Sequence, residues 1–202
     1  VIPAANKKVT LHAELIDGTT IVGESKVPSG HAPIKRVFLE PSNLKPLPAA
    51  VHAIERADYI LIGPGSLYTS IIPNLLVKGI GQAVVKAKGE KIYIANLMTQ
   101  QGETIHYSVS QHIEAIHEHV GEAFIESVLF NEKDLPSAIY AQYREENAEP
   151  VHFDVEKLQQ MGLKVIKKEI ALIHKGTVRH DAKNLADWLF EYAAQKQQTM
   201  QS

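Results

Sequence analysis

The chain has 202 residues, 45% of them hydrophobic, enough for a sizeable buried core and a single domain. Lysine plus arginine (21) nearly balance aspartate plus glutamate (23), so no overall charge draws the protein to nucleic acid or an anionic membrane, and any anion must be held locally. The absence of cysteine excludes disulfides, thiolate metal ligands and a cysteine nucleophile, and no apolar run approaches the ~18 residues of a membrane span.

The start, VIPAANKK, has no signal-peptide apolar segment, and a cytoplasmic protein is expected. Opening on Val1 rather than Met, the chain is also expected to lack a preceding segment. Residues 9 to 27, VTLHAELIDGTTIVGESKV, alternate apolar and polar about Asp17-Gly18, which predicts an antiparallel β-hairpin. IKRVFLEP (34 to 41) predicts a strand closed by Pro41, and AAVHAIERA (49 to 57) a short helix after a proline-rich stretch. DYILIGPG (58 to 65) has the continuous apolar character of a parallel strand covered on both faces. A helix around Gly79 to Ala87 leads to a second such strand, KIYIANL (91 to 97). SQHIEAIHEHVG (110 to 121) places Ile113, Ile116 and Val120 at helical spacing, with Ser110 as the expected N-cap. ESVLFNE predicts a strand, a helix follows Pro136, VEKLQQMG predicts a brief helix, and LKVIKKEIAL (163 to 172) a final strand. The tail RHDAKNLADWLFEYAAQKQQ predicts a helix capped by Asp181 that buries Leu185, Trp188, Leu189 and Tyr192. Strands alternating with helices predict an α/β fold, a mostly parallel sheet with helices on its faces and a hairpin near the N-terminus.

In open α/β sheets ligands sit beyond the carboxyl ends of the parallel strands, so the loops leaving DYILIGPG and KIYIANL are the places to look. The first supplies Gly63, Gly65, Ser66, Tyr68, Thr69 and Ser70; the second supplies Asn96, Thr99, Gln100, Gly102, Glu103 and Thr104. Glycines let amides approach an anion, and a helical turn beginning near Ser66 would add unpaired donors, which suits a phosphate. The plainer reading is that Gly63 and Gly65 make the turn and Ser66 caps the helix. Neither the dinucleotide fingerprint nor a P-loop is present. Asn96 can donate and accept, as a uracil edge or a sugar hydroxyl requires, or it can satisfy loop backbone. His112, His117 and His119 share one helix at spacings of five and two, which does not make a metal site and reads as a solvated helix surface. Arg179 and His180 precede the last helix, where a guanidinium and helix amides could grip a pyrophosphate; the alternative is an arginine paired with a carboxylate. No nucleophile with its base can be named, although Glu103 could serve as a base.

GPGSLYTSIIPNLL, IANLMTQQGET and the terminal VRHD together resemble the bacterial YvcK proteins, the gluconeogenesis factors, within the superfamily that includes CofD, the 2-phospho-L-lactate transferase. The resemblance runs over nearly the whole chain. It implies one CofD-like, Rossmann-like domain over residues 1 to 202, with the hairpin 9 to 27 as an appendage. It implies a cytoplasmic homodimer that binds UDP-N-acetylglucosamine or another nucleotide, with a regulatory protein partner and a role in cell shape and peptidoglycan synthesis. Residue by residue it implies that Gly63, Gly65, Ser66 and Thr69 form the phosphate-side loop, with Tyr68 in the same turn. Asn96 and Thr99 would form the neighbouring wall, and Arg179 and His180 would approach from the last helix. The family's opening GGGTG loop and DDGGSSG segment are not in this chain, so they are expected in a longer protein of which it is part. The alternative within the superfamily is a CofD-like transferase acting on a phosphorylated substrate with a divalent cation.

Overall fold

The computed structural model describes residues 1–201. The chain begins with three antiparallel strands, β1 (Thr10–Leu15), β2 (Thr20–Val22) and β3 (Ile34–Glu40), with β1 in the middle. Strand alternation turns Leu11, Ala13 and Leu15 of β1 into the core, while Asp17 accepts the amide and the hydroxyl of Thr19 and so closes the hairpin turn. A 3₁₀ segment, Glu24–Ser29, links β2 to β3.

Helix α1 (Pro48–Glu55) leads into a parallel sheet of β4 (Tyr59–Ile62), β5 (Glu90–Ile94), β6 (Ser127–Asn131) and β7 (Lys164–Lys168), side by side in that order. The crossovers are α2 (Ile72–Leu75) with α3 (Ile80–Lys86), then α4 (Val109–Val120), then α5 (Ser137–Glu145) with α6 (Val155–Gln160). Because side chains alternate along a strand, the sheet has two apolar faces. Ile60, Ile62, Tyr93 and Val128 join the large core with α1, α3, α4, α6 and the N-terminal strands. Ile92, Ile94 and Leu129 meet the last helix, α7 (Ala182–Gln201), through Trp188 and Tyr192. The architecture is the expected Rossmann-like one, with helices on both faces and an antiparallel hairpin near the N-terminus.

Helix α7 is fixed at both ends of β5. Glu90 accepts the hydroxyls of Ser127 (2.6 Å) and Tyr192 (2.8 Å) and the ammonium of Lys196 (2.6 Å) at the start of the strand. His180 reaches the Ala95 carbonyl just beyond its end. The helix therefore runs against the strand direction, and its N-terminus lies at the rim where the β4 and β5 loops emerge.

Two elements differ from the sequence reading. LKVIKKEIAL is not one strand: β7 stops at Lys168, and β8 (Ala171–His174) pairs with β9 (Thr177–His180) as a separate hairpin. The cause is Asn131, whose Oδ1 accepts the amides of Ile170 and Ala171 and so replaces the sheet partner those groups would otherwise need. The N-cap of α4 is Ser108, not Ser110. Ser108 and Gln111 form a reciprocal capping box, whereas the Ser110 hydroxyl donates to Asp154.

The α4 histidines are not a solvated surface either. His112 is fully buried and donates through Nδ1 to the Ser108 carbonyl (2.8 Å). His117 Nε2 accepts from the amides of Phe124 and Ile125, and His119 Nε2 accepts from the Val37 amide of β3 (3.0 Å). The bonds that His117 and His119 accept need neutral rings, and burial lowers all three pKa values below the ordinary 6.5, against the Ser108 bond in His112. The unfolded chain therefore takes up protons that the folded chain refuses. Stability is full above about pH 6.5 and is lost as the pH falls below it. Urea unfolding from about pH 8 to about pH 5 should show a falling midpoint. The fall should be shallower in His119→Gln, whose amide oxygen can accept the Val37 amide without titrating; identical slopes would remove His119 from the acid response.

Candidate functional site

The chain leaves β4 through Gly63, at φ 95, where a Cβ would lie 3.2 Å from the Ile94 carbonyl oxygen. Only glycine lets the turn pass so close over the end of β5. Beyond it the chain winds into a π turn, Leu67–Ile71, in which the Ser66 carbonyl accepts the amides of Ser70 and Ile71. The Ser66 side chain makes no capping bond. Leu67, Tyr68 and Ile71 pack inward, and the Tyr68 hydroxyl meets that of Tyr107 at 3.0 Å. Burial, aided by that bond, holds the Tyr68 phenol far above its ordinary pKa.

The loop leaving β5 satisfies this turn. Asn96 donates through Nδ2 to the Gly65 carbonyl (2.9 Å) and accepts the Tyr93 hydroxyl at Oδ1 (2.7 Å). Glu103, only 5% exposed, accepts the Tyr68 amide (3.1 Å) with one oxygen and the Thr69 hydroxyl (2.9 Å) with the other. Burial raises its pKa, and the Thr69 and Tyr68 bonds oppose the rise. Gly102 beside it has φ 76 and lies so close to Pro28 that a Cβ would come within 2.3 Å of its carbonyl oxygen. The loop is thereby wedged against the 3₁₀ segment. Thr99 is buried, its amide and hydroxyl both bonded to the backbone of Glu149.

The β8–β9 hairpin supplies the opposite side. His180 donates from Nε2 to the Ala95 carbonyl (3.0 Å), and the Val178 amide donates to the hydroxyl of Tyr143 on α5 (2.8 Å). Asp181 caps α7 by accepting the amides of Lys183 and Asn184, which are thus unavailable to a ligand. Arg179 is exposed and makes no ion pair among the described residues. These parts enclose one cleft of about 800 Å³ lined by Gly65, Ser66, Asn96, Thr99, Arg179 and His180. Tyr143 and Glu146 of the α5 end complete the wall. The amides of Gly65 and Ser66 donate to no protein group among the described residues.

The family profile described as 2-phospho-L-lactate transferase CofD matches residues 1–171. The chain belongs to the CofD family. This CofD-family protein is 49% identical over 191 residues to the gluconeogenesis factor of Bacillus subtilis (strain 168), covering 95% of this chain and 60% of that protein. It is 42% identical to the gluconeogenesis factor of Listeria monocytogenes, over 94% of this chain and 58% of that one. A crystal structure of a Bacillus halodurans protein superposes with a TM-score of 0.89 at 42% identity, over 93% of this chain and 60% of the other. The chain spans about 60% of the length of the curated relatives it matches.

Of the nine residues singled out in the CofD-family sequence, Gly65, Ser66, Asn96, Thr99, Arg179 and His180 share the cleft, and Gly63, Tyr68 and Thr69 lie outside its lining. Gly63 shapes the turn, Tyr68 is a core residue, and Thr69 faces Glu103. Asn96 engages both of its polar atoms within the protein, Nδ2 on the Gly65 carbonyl of the turn and Oδ1 on the Tyr93 hydroxyl, close to the plainer of its two readings. Tyr143 and Glu146 carry no sequence signal, because nothing in AIYAQYREE marks a helix end that the fold brings to the β5 loop. Glu103 is legible as a polar loop residue, yet its place beneath the turn is not. Removing it should leave the Tyr68 amide and Thr69 hydroxyl without acceptors. Glu103→Ala should cost about 3 kcal/mol by urea unfolding, on the scale of charge-assisted bonds, and Glu103→Gln distinctly less. Equal losses would mean that the charge and the second acceptor oxygen of the carboxylate, not the size of the side chain, are what the site requires.

Proposed function

We propose that this CofD-family protein binds a nucleotide sugar of the UDP-N-acetylglucosamine type and works as a cytoplasmic regulator. In that role it is a gluconeogenesis factor that links carbon metabolism to cell shape and peptidoglycan synthesis. The observation that carries the reading is the convergence of Gly65, Ser66 and Arg179 on one cleft. Two amides and a guanidinium that meet no acceptor among the described residues form the arrangement that a diphosphate completes. The same cleft carries the Glu146 carboxylate, an acceptor suited to sugar hydroxyls. Its volume falls in the range of small-molecule sites, roughly 300 to 1,000 Å³. The relatives named gluconeogenesis factor support the link to carbon metabolism. A protein partner belongs to the proposal as well, since a sensor without turnover acts only through what it touches, and a homodimer is proposed by analogy with the family.

A second reading, a transferase acting on a phosphorylated substrate with a divalent cation, is favoured by the transferase description of the family profile. Mass spectrometry of the protein incubated with UDP-N-acetylglucosamine, a divalent cation and a hydroxyl acceptor separates the two: a transferred group supports the enzyme, and binding without turnover the sensor.

Arg179→Ala should weaken UDP-N-acetylglucosamine binding by about 1 to 3 kcal/mol, the scale of a charged hydrogen bond, as read by isothermal titration. Ser66→Ala should lose less, because backbone amides hold the phosphate there. Unchanged affinity in the arginine variant removes Arg179 from the site, and a larger loss in the serine variant contradicts the role given to the amides.

A further inference from the structure

His180 ends β9 and lines the cleft beside Arg179. Its Nε2 lies 3.0 Å from the Ala95 carbonyl oxygen. A carbonyl oxygen can only accept, so Nε2 carries the proton, and the neutral ring has a bare lone pair at Nδ1. No protein group among the described residues meets that nitrogen. The buried side-chain polar atom without a partner among them is Nε2 of His112, so Nδ1 of His180 is not sealed in the interior. Burial lowers the pKa of His180, with the Ala95 bond opposing, which favours the neutral ring.

A neutral His180 therefore cannot donate to a phosphate, and its lone pair would face the phosphate oxygens repulsively. The gripping role expected from its place beside Arg179 does not follow from its chemistry. A bare imine nitrogen instead calls for a hydrogen-bond donor. The unengaged donors of the cleft, the Gly65 and Ser66 amides and the Arg179 guanidinium, suit oxygens that only accept. The His180 lone pair and the Glu146 carboxylate suit a part of the ligand that carries O–H or N–H groups.

We infer that His180 is a specificity-determining residue whose Nδ1 accepts a hydrogen bond from the uncharged, donor-bearing part of the ligand, while Arg179 and the turn amides hold the anionic part. The inference rests on the nucleotide-sugar reading of the cleft. His180→Gln tests it, because the glutamine amide can still donate to Ala95 from the place of Nε2 but offers no acceptor at the place of Nδ1.

At about pH 8, where the ring is neutral, isothermal titration of wild type and variant with UDP-N-acetylglucosamine, UDP and inorganic pyrophosphate separates the outcomes. The expected result is a loss of about tenfold for UDP-N-acetylglucosamine with pyrophosphate binding unchanged. A matching loss for UDP places the donor on the nucleoside, and no loss for UDP places it on the amino sugar; either supports the inference. Equal losses for all three, or no loss for any, overturns it and leaves the nucleotide-sugar reading standing. A wild type that takes pyrophosphate but neither nucleotide overturns that reading and the inference with it. Should the variant fail to fold, nitrogen NMR of the wild-type imidazole decides independently: a proton on Nδ1 rather than Nε2 overturns the assignment.

Discussion

The turn after β4 carries Leu67 and Tyr68 into the core, and the polar groups it buries with them must find partners there or incur the cost of a lost hydrogen bond. The loop after β5 supplies those partners. Asn96 takes the Gly65 carbonyl, and Glu103 takes the Tyr68 amide and the Thr69 hydroxyl. The amides of Gly65 and Ser66 are left over. What the cleft offers a ligand is thus the remainder after the turn has been satisfied from below. Glu103 also changes the electrostatics of the turn: a carboxylate already sits against the amides that a bare helical turn would have presented to an anion.

The remaining wall depends on how α7 is docked. Its two anchors, Glu90 with Tyr192 and Lys196 at one end of β5 and His180 with Ala95 at the other, fix the helix along the strand. The β8–β9 hairpin immediately before it has no strand neighbour in the parallel sheet among the described residues, so the Asn131–Ala171, His180–Ala95 and Val178–Tyr143 bonds set its position. Arg179, between the Val178 and His180 contacts, lines the cleft and makes no ion pair among the described residues. Charge and exposure are combined at one residue, and hydrogen-bonded anchors stand on either side of it.

The α4 histidines show how composition misleads when it is read without partners. Polar residues at mixed spacing resemble a wet helix surface, yet His117 and His119 are acceptors for amides of other segments, and His112 is inside the core. An imidazole can accept at one nitrogen and donate at the other, so it closes gaps where two backbones approach without forming a ladder. In Ser108 and Ser110 the same difficulty appears on a smaller scale: both precede the apolar run, and only the reciprocal bond with Gln111 distinguishes the cap.

Local spacing by itself determined the order of strands and helices up to β7, though not the β8–β9 hairpin, together with the parallel sheet, the hairpin about Asp17-Gly18 and the buried side of α7, because periodicities of two and 3.6 are properties of neighbouring residues. It also marked the β4 and β5 loops as a pair, since consecutive parallel strands bring their carboxyl ends together. Only the tertiary structure decided which polar atoms of those loops remain available. The Tyr68–Glu103, Asn96–Gly65 and His180–Ala95 bonds join residues 35, 31 and 85 positions apart. No local pattern encodes such partners. A side chain that reads as a ligand contact becomes a structural tie when a distant backbone group needs it, and that need exists only once the chain has folded.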